Sequence, residues 1–397
     1  MHRVPSLSAL GLILASACVS IGVGIDAPLG AAREREAPER CAQAARFSGE
    51  PIDAPLDRWA WVEIEGARCR DGSQTGIAVR ARRSAPGLLI YLEGGGACFN
   101  DATCEVNPAS FGVDELIERA RRLGGIFDED HRDNPFRGWS VVYVPYCTGD
   151  LHAGSAEDVD VPGGPDDQDF VGFDNVTRAL ARLVPTFDDV ERVVLAGSSA
   201  GGYGTLLNYH QVAEAFCPRS VALLDDSGPL VAVAAGAACV QARWLDLWHL
   251  DETLPASCRA CRDPDGPGVA ALPRFLARRY PEARFGLITS DRDVVMRAFY
   301  GFAASEDCTA LEEGFEPLPE EEFRRGLRAA RRAYKRPQWS TYVIPSERHT
   351  WLWRDELYST TVAGVPLHEW VARLVQGEAP RDVEPGRSSR GEGVTAR

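Results

Sequence analysis

The chain has 397 residues, 45% of them hydrophobic and 25% charged, so it is long and apolar enough to bury a large core. Its formal net charge of −15 excludes the basic face that a nucleic-acid partner would require. The composition therefore indicates a globular protein that does not bind nucleic acid.

Residues 1–25 have the features of an export signal. Basic residues precede an apolar stretch from Leu7 to Ile25, and small residues interrupt it just before Cys18. This pattern predicts a secretory signal peptide. It is also similar to a bacterial lipoprotein processing site, in which case a lipid on Cys18 would be the contact with a membrane. Residues 26–40, rich in Ala, Pro, Arg and Glu, predict a linker.

Ten of the eleven cysteines lie after Cys18. An even number of cysteines in an exported chain predicts disulfides. Cys98 and Cys104 are spaced to close a small loop. Cys258 and Cys261 form a C-x-x-C pair, but no second pair with zinc-finger spacing exists, so we predict no metal. We expect Cys258 and Cys261 to bond to different partners.

Strand and helix patterns alternate between residues 41 and 376. Apolar runs and alternating patterns predict strands at Trp59–Ile64, Gly76–Arg80, Leu88–Leu92, Trp139–Pro145, before Gly197, and at Ser220–Leu224, Arg284–Thr289 and Ser340–Pro345. Helical spacing predicts helices at Asp114–Leu123, Gly172–Leu183, Thr205–Phe216, Glu320–Tyr334 and Leu367–Val375.

This alternation predicts an α/β fold, with a mainly parallel central sheet flanked by helices, in one catalytic domain over residues 41–376. The Trp- and Cys-rich region from Cys239 to Pro273 has little periodicity and predicts an insertion held by disulfides. Residues 377–397 are charged and rich in Gly and Ser, so we predict a disordered polar tail.

The segment Gly197-Ser198-Ser199-Ala200-Gly201 follows an apolar β-branched run and precedes a predicted helix. This Gly-x-Ser-x-Gly pattern between a strand and a helix is typical of the nucleophile elbow of an α/β-hydrolase. It predicts Ser199 as the nucleophile. A serine hydroxyl reacts only when a base removes its proton, so a histidine and an acid must follow in the chain.

His349 follows the last predicted strand, as the order Ser–Asp–His requires. The acid is Asp291 or Asp293, which both follow the strand ending at Thr289. We prefer Asp293, because the apolar residues directly after it would pin the loop to the core. Asp225 and Asp226 lie one strand earlier, and we expect them to hydrogen-bond the loop framework.

The glycine run Gly94-Gly95-Gly96 follows an early strand, as in the oxyanion loops of esterases. The N–H of Ala200, directly after the nucleophile, would be a further donor to the oxyanion. A phosphate-binding P-loop is excluded, since no Lys-Ser or Lys-Thr follows the glycines. We predict no cofactor.

Four blocks in this order resemble the pectin acetylesterase/Notum family. They are Leu92-Glu93-Gly94-Gly95-Gly96-Ala97-Cys98-Phe99-Asn100, Pro145-Tyr146-Cys147-Thr148-Gly149-Asp150, Gly197-Ser198-Ser199-Ala200-Gly201-Gly202 and Asp226-Ser227-Gly228. The resemblance implies an exported α/β-hydrolase that cleaves carboxylic esters without a cofactor. It also implies that Ser199 is the nucleophile, His349 the base, and Gly95, Gly96 and Ala200 the oxyanion donors.

Two departures from the family pattern concern the acid and the substrate pocket. Met296 stands where the family often has Gln, three residues after the acid. Gly96-Ala97 stands where many members carry aromatic residues that wall the acyl pocket. The size of the acyl group is therefore not transferable from the family.

We expect a secreted serine carboxylesterase that forms an acyl-enzyme on Ser199. Its predicted substrate is an O-acyl ester, in the first place an O-acetyl ester, on a polysaccharide or a small molecule. The alternatives are a lipid or polyester esterase, and a catalytically silent carbohydrate- or lipid-binding module on the same fold. No pattern in the sequence predicts an oligomeric state.

Overall fold

A computed structural model of the protein describes residues 41, 44–231, 237–263, 266–305, 307–311 and 316–386. The predicted signal peptide, the linker and Cys18 lie outside the described residues. These parts of the domain plan stay predictions.

The strands of the described residues are β1 (Trp59–Arg68), β2 (Gln74–Arg80), β3 (Leu88–Leu92), β4 (Ser140–Val144), β5 (Ala156–Val159), β6 (Gln168–Phe170), β7 (Arg192–Ser198), β8 (Ser220–Asp226), β9 (Arg284–Ser290), β10 (Trp339–Ile344), β11 (Thr361–Val362) and β12 (Val365–Pro366). Eight of them form one sheet, in the order β1-β2-β4-β3-β7-β8-β9-β10. The pairs β5–β6 and β11–β12 are separate two-stranded sheets.

The large sheet is parallel except at one side, where β1 pairs antiparallel with β2 and β2 antiparallel with β4. From β4 onwards every neighbouring pair is parallel. Each residue of β3 is buried, because helices and loops cover both faces of the sheet. The predicted mainly parallel α/β architecture is confirmed.

The helices surround the sheet. They are α1 (Asp101–Glu105), α2 (Val113–Ala120), α3 (Gly172–Thr186), α4 (Ala200–Ala215), α5 (Ala237–Leu247), α6 (Leu250–Thr253), α7 (Leu272–Arg279), α8 (Val294–Gly301), α9 (Glu320–Ala333), α10 (Glu356–Ser359) and α11 (Leu367–Val375). Within the described ranges, none of them has the length and apolar character needed to span a bilayer.

Helix α4 begins at Ala200, five residues before the predicted start at Thr205. The glycines of its first turn are poor helix formers, but they let the helix approach the sheet closely. A Cβ on Gly201 would collide with the carbonyl of Leu92, and a Cβ on Gly202 with the carboxylate of Asp225. Tertiary packing therefore decides where this helix begins.

The ten described cysteines form five disulfides. They are Cys41–Cys217, Cys69–Cys147, Cys98–Cys104, Cys239–Cys308 and Cys258–Cys261. The predicted Cys98–Cys104 pair is confirmed. The prediction that Cys258 and Cys261 join different partners is wrong: a 3₁₀ turn, with a 3.0 Å bond from the N–H of Cys261 to the carbonyl of Cys258, brings their Cα atoms within 5.3 Å.

The predicted disordered tail needs a correction in its first part. Residues 377–386 are described, and Val383 is buried beside strand β10. Its N–H donates to the carbonyl of Thr341, and its carbonyl accepts from the N–H of Val343. The backbone of this segment pairs with the edge of β10 that no other strand of the sheet covers. Composition alone did not reveal this pairing. Residues 387–397 lie outside the described residues.

The disulfides should differ in their effect on stability, because they close loops of very different length. Replacing Cys41 and Cys217 together by Ser removes a link between residues 176 positions apart, and should lower the free energy of unfolding by about 5 kcal/mol. The same change at Cys258 and Cys261, 3 positions apart, should lower it by about 2 kcal/mol. Urea denaturation measures both, and an equal loss would contradict the expectation.

Candidate active site

The nucleophile candidate, Ser199, lies between the end of β7 and the start of α4. Its backbone has φ 59° and ψ −120°, a conformation that is rare and strained for a residue with a side chain. The N–H of Ser199 donates to the carbonyl of Asp226 at 2.7 Å, which holds the turn. A Cβ on Gly197 would collide with the carbonyl of Gly201, so the elbow requires glycine there.

His349 lies in the loop after β10, and Asp293 caps helix α8. The Nδ1 atom of His349 is 2.8 Å from Oδ2 of Asp293, whose side chain is fully buried. Since a carboxylate only accepts, this bond places the imidazole proton on Nδ1. The Nε2 atom is buried and has no hydrogen-bond partner among the described residues. It is therefore free to accept a proton.

The other oxygen of Asp293 fixes the orientation of its carboxylate. Oδ1 accepts from the N–H groups of Val295 and Met296, each at 3.0 Å. These are unpaired donors of the first helical turn, and the helix dipole favours a negative charge at this end. The helix start therefore presents the second oxygen to His349.

Asp291, the alternative acid, lies elsewhere. Its oxygens are 3.3 Å from Arg292 and 3.4 Å from Arg324, and no bond joins it to His349 among the described residues. Burial raises the pKa of Asp291, while the two arginines act in the opposite direction. The structure thus brings Asp293, and not Asp291, to the histidine.

The buried carboxylate of Asp226 connects the two loops of the site. It accepts from the hydroxyl of Ser198 at 2.6 Å, and from the N–H groups of Trp351 at 2.9 Å and Leu352 at 3.0 Å. Burial raises its pKa, and these donors counteract the rise. The hydrogen bonds are those of a framework residue, as expected for this position.

The glycine loop follows β3 and reaches the same place. Gly96 has φ +83°, in the region that favours glycine, and lines a pocket together with Ser199 and Ala200. As the first residue of α4, Ala200 has an N–H without an intrahelical acceptor. The Cys98–Cys104 disulfide and a 2.7 Å bond from the N–H of Cys98 to the carbonyl of Gly149 fix the far end of the loop.

The pocket beside Ser199 has a volume of about 90 Å³ and a largely apolar lining. Its wall comes from the glycine loop, the elbow and helix α4, the insertion, helix α8 with the turn after it, and the loops after β4 and β8. The lining residues are Gly96, Ala97, Phe99, Leu151, Ser199, Ala200, Tyr203, Leu230, Val231, Val240, Gln241, Trp244, Val269, Ala270, Met296, Phe299, Tyr300 and Ala303. Within the described part of the chain, no group of three His, Cys, Asp or Glu side chains could hold a metal ion.

Sequence reasoning did not identify the pocket wall contributed by α8. Met296, Phe299, Tyr300 and Ala303 all line the pocket. Met296, Phe299 and Tyr300 are spaced as on one helix face, so this part of the signal was present directly after Asp293, whereas Ala303 lies in the turn after α8. A Cβ on Gly96 would lie 3.3 Å from the ring of Phe299. This ring lies beside the loop position where many family members carry an aromatic residue.

An elbow serine, a histidine bonded to a buried aspartate and a glycine loop at the carboxyl ends of a parallel sheet define an α/β-hydrolase. A family model described as pectinacetylesterase matches residues 59–279, more than half of the chain. The chain belongs to this family of carboxylic ester hydrolases, which confirms the resemblance seen in the sequence.

Curated relatives match over a shorter stretch. The palmitoleoyl-protein carboxylesterase notum2 of Xenopus laevis is 33% identical over 153 residues, which cover 36% of this chain and 30% of the relative. The palmitoleoyl-protein carboxylesterase NOTUM of Schmidtea mediterranea is 37% identical over 147 residues, which cover 36% of this chain and 27% of the relative. The human palmitoleoyl-protein carboxylesterase NOTUM is 30% identical over 154 residues, which cover 37% of this chain and 30% of the relative.

Among solved structures, the Wnt deacylase Notum from Drosophila matches with a TM-score of 0.58. The match covers 82% of this chain and 95% of that one, at 19% sequence identity. This likeness confirms the α/β-hydrolase-like fold. The alignments span under a third of the curated relatives' length, so activity and substrate are argued separately below.

Two adjacent aspartates should respond in opposite ways to amide substitution. Asp226→Asn places a donor against the N–H groups of Trp351 and Leu352, and should lower the free energy of unfolding by about 1–3 kcal/mol. Asp225→Asn keeps the acceptor of Gly228 N–H and removes a carboxylate whose Oδ2 is buried without a partner in the described structure.

Burial raises the pKa of Asp225 well above its usual range, so the folded state favours the neutral carboxyl. Above about pH 4 the unfolded chain releases this proton while the folded state holds it, so the free energy of unfolding falls as the pH rises. The advantage of Asp225→Asn over the wild type should therefore grow between pH 4 and pH 7. Urea denaturation at several pH values measures this, and a parallel loss of stability in both variants would be inconsistent with the two environments.

Proposed function

We propose that the protein is a serine carboxylesterase with Ser199 as nucleophile, His349 as base and Asp293 as orienting acid. The observation that carries the proposal is the 2.8 Å bond between Nδ1 of His349 and the buried carboxylate of Asp293. It leaves Nε2 available for the serine proton, and the strained elbow presents the hydroxyl at the same end of the sheet.

In the proposed reaction, Nε2 of His349 takes the hydroxyl proton of Ser199 as Oγ attacks the ester carbonyl. The N–H groups of Gly95, Gly96 and Ala200 stabilise the resulting oxyanion, each contributing about 3 kcal/mol. The imidazolium returns the proton to the departing alcohol, and an acyl-enzyme remains on Ser199. Water activated by the same histidine then releases the acid.

We further propose that the acyl group is longer than acetyl. The cavity of about 90 Å³ has room for about six to nine water-sized groups, whereas acetyl adds one methyl group to the reacting carbonyl. Its wall is apolar, with aromatic rings from Phe99, Trp244 and Phe299. An unbranched acyl chain gains about 0.8 kcal/mol for each CH₂ that such a wall removes from water.

The second candidate is the O-acetyl ester of a polysaccharide, which the description of the matching family favours. The relatives named palmitoleoyl-protein carboxylesterases favour the longer acyl group. Both candidate functions include export of the protein to an oxidising compartment, which the five disulfides support. Secretion and a lipid on Cys18 stay proposals from the sequence.

The matched pair Asp293→Asn and Asp291→Asn tests the assignment of the acid. The first change removes the acceptor that orients His349, and should lower kcat about ten-thousand-fold. The second breaks only the pairs of Asp291 with two partly exposed arginines, and should change kcat about threefold or less. Rates on a nitrophenyl ester, with Ser199→Ala as background, give both values. The reverse ranking would assign Asp291.

A nitrophenyl ester series from acetyl to dodecanoyl tests the acyl pocket. We expect the highest kcat/KM at an intermediate chain length. Ala270→Phe fills part of the pocket and should shift the preference towards acetyl. Its neighbour Ala271 lies outside the lining, so Ala271→Phe is the matched control and should leave the optimum unchanged.

A wild type that prefers acetyl would favour the polysaccharide acetylesterase. If the wild type turns over no ester of the series but binds a saccharide or lipid, the protein is a binding module and the proposed activity is wrong.

A further inference from the structure

The side chain of Asn107 contacts the backbone of the glycine loop. It is 3% exposed, and its Nδ2 donates to the carbonyl oxygen of Gly95 at 2.8 Å. Asn107 follows closely after Cys104, which the disulfide ties to Cys98 at the end of the loop. The proposed reaction gives this side chain no role.

The bonded carbonyl belongs to the peptide unit that carries the N–H of Gly96. In a planar trans peptide the C=O and the N–H point in opposite directions, so an anchor on the oxygen also fixes the N–H. No acceptor within the described residues holds the N–H of Gly96. With glycine on both sides, this unit can rotate more easily than any flanked by side chains.

Arg70 determines which way the Asn107 amide faces. Its Nε donates to Oδ1 of Asn107 at 3.2 Å, and the guanidinium donates to the backbone carbonyls of Cys104 and Asn107, each at 2.8 Å. Because Arg70 only donates, Oδ1 must face it, and the NH₂ group must face Gly95. The arginine is 7% exposed, so its own position is restricted.

We infer that Asn107 is a positioning residue for the oxyanion hole, which it serves by preventing rotation of the Gly95–Gly96 peptide. The inference rests on the proposed esterase function, and on Gly96 as an oxyanion donor. The Gly96 N–H then meets the developing oxyanion without reorganisation in the transition state, where such preorganisation contributes most. Loss of Asn107 should therefore affect kcat and leave substrate binding nearly unchanged.

The test compares Asn107→Ala and Asn107→Asp with Asn134→Ala. Asn134 is also buried and donates to two backbone carbonyls, but these belong to Ile126 and Asp128 and not to the glycine loop. On the best nitrophenyl ester, we expect both Asn107 variants to lose about 30-fold or more in kcat, with KM within about threefold. Their affinity for a trifluoromethyl ketone, which forms a tetrahedral adduct on the serine, should fall in parallel. The control should change neither value.

Asn107→Asp keeps the size of the side chain and an acceptor for Arg70, so it tests the lost donor even if Asn107→Ala fails to fold. Either folded variant with wild-type kcat, or a loss seen only in KM, would overturn the inference. It would leave the proposed function intact if the wild type is active. An inactive wild type would overturn both, so the two failures are distinguishable.

Discussion

The candidate site depends on one buried carboxylate, that of Asp226. Its oxygens accept hydrogen bonds from the hydroxyl of Ser198, directly before the nucleophile, and from the N–H groups of Trp351 and Leu352, shortly after His349. The backbone carbonyl of Asp226 accepts from the N–H of Ser199. Burying a charge without partners is costly, and the donors around this one offset that cost. Because nucleophile and histidine come from loops about 150 residues apart, their relative position depends on these bonds.

The oxyanion side is built by a separate set of contacts. His152 is fully buried, and its Nε2 bonds to the carbonyl of Glu93 at 2.8 Å, directly before the glycines. Burial lowers the pKa of His152 to about 4, so it stays neutral at physiological pH. With Asn107, it anchors two carbonyls of this segment, those of Glu93 and Gly95. Side-chain donors thus restrain a backbone that glycine leaves conformationally free.

The pocket beside Ser199 combines residues of the candidate catalytic loops with residues of the insertion. Ser199 and Gly96 belong to the elbow and the glycine loop, whereas Val240 and Trp244 come from the disulfide-held insertion. Helix α8 starts at Asp293 and places Phe299 in the pocket wall, so one helix orients the acid and shapes the substrate site. The candidate triad and the pocket wall therefore share this helix, while the insertion contributes only to the wall.

The sequence by itself determined the eight strands of the large sheet, the elbow motif and the order of the candidate triad, because apolar runs, glycine requirements and chain order are local signals. It did not predict the short strands β5, β6, β11 and β12. Preference for Asp293 over Asp291 also came from its apolar neighbours. Only the tertiary structure decided the strand-like path of Val383, the place of Val240 and Trp244 in the pocket wall and the contact between Asn107 and Gly95. Each of these depends on which distant atoms a residue meets, and no local pattern encodes that.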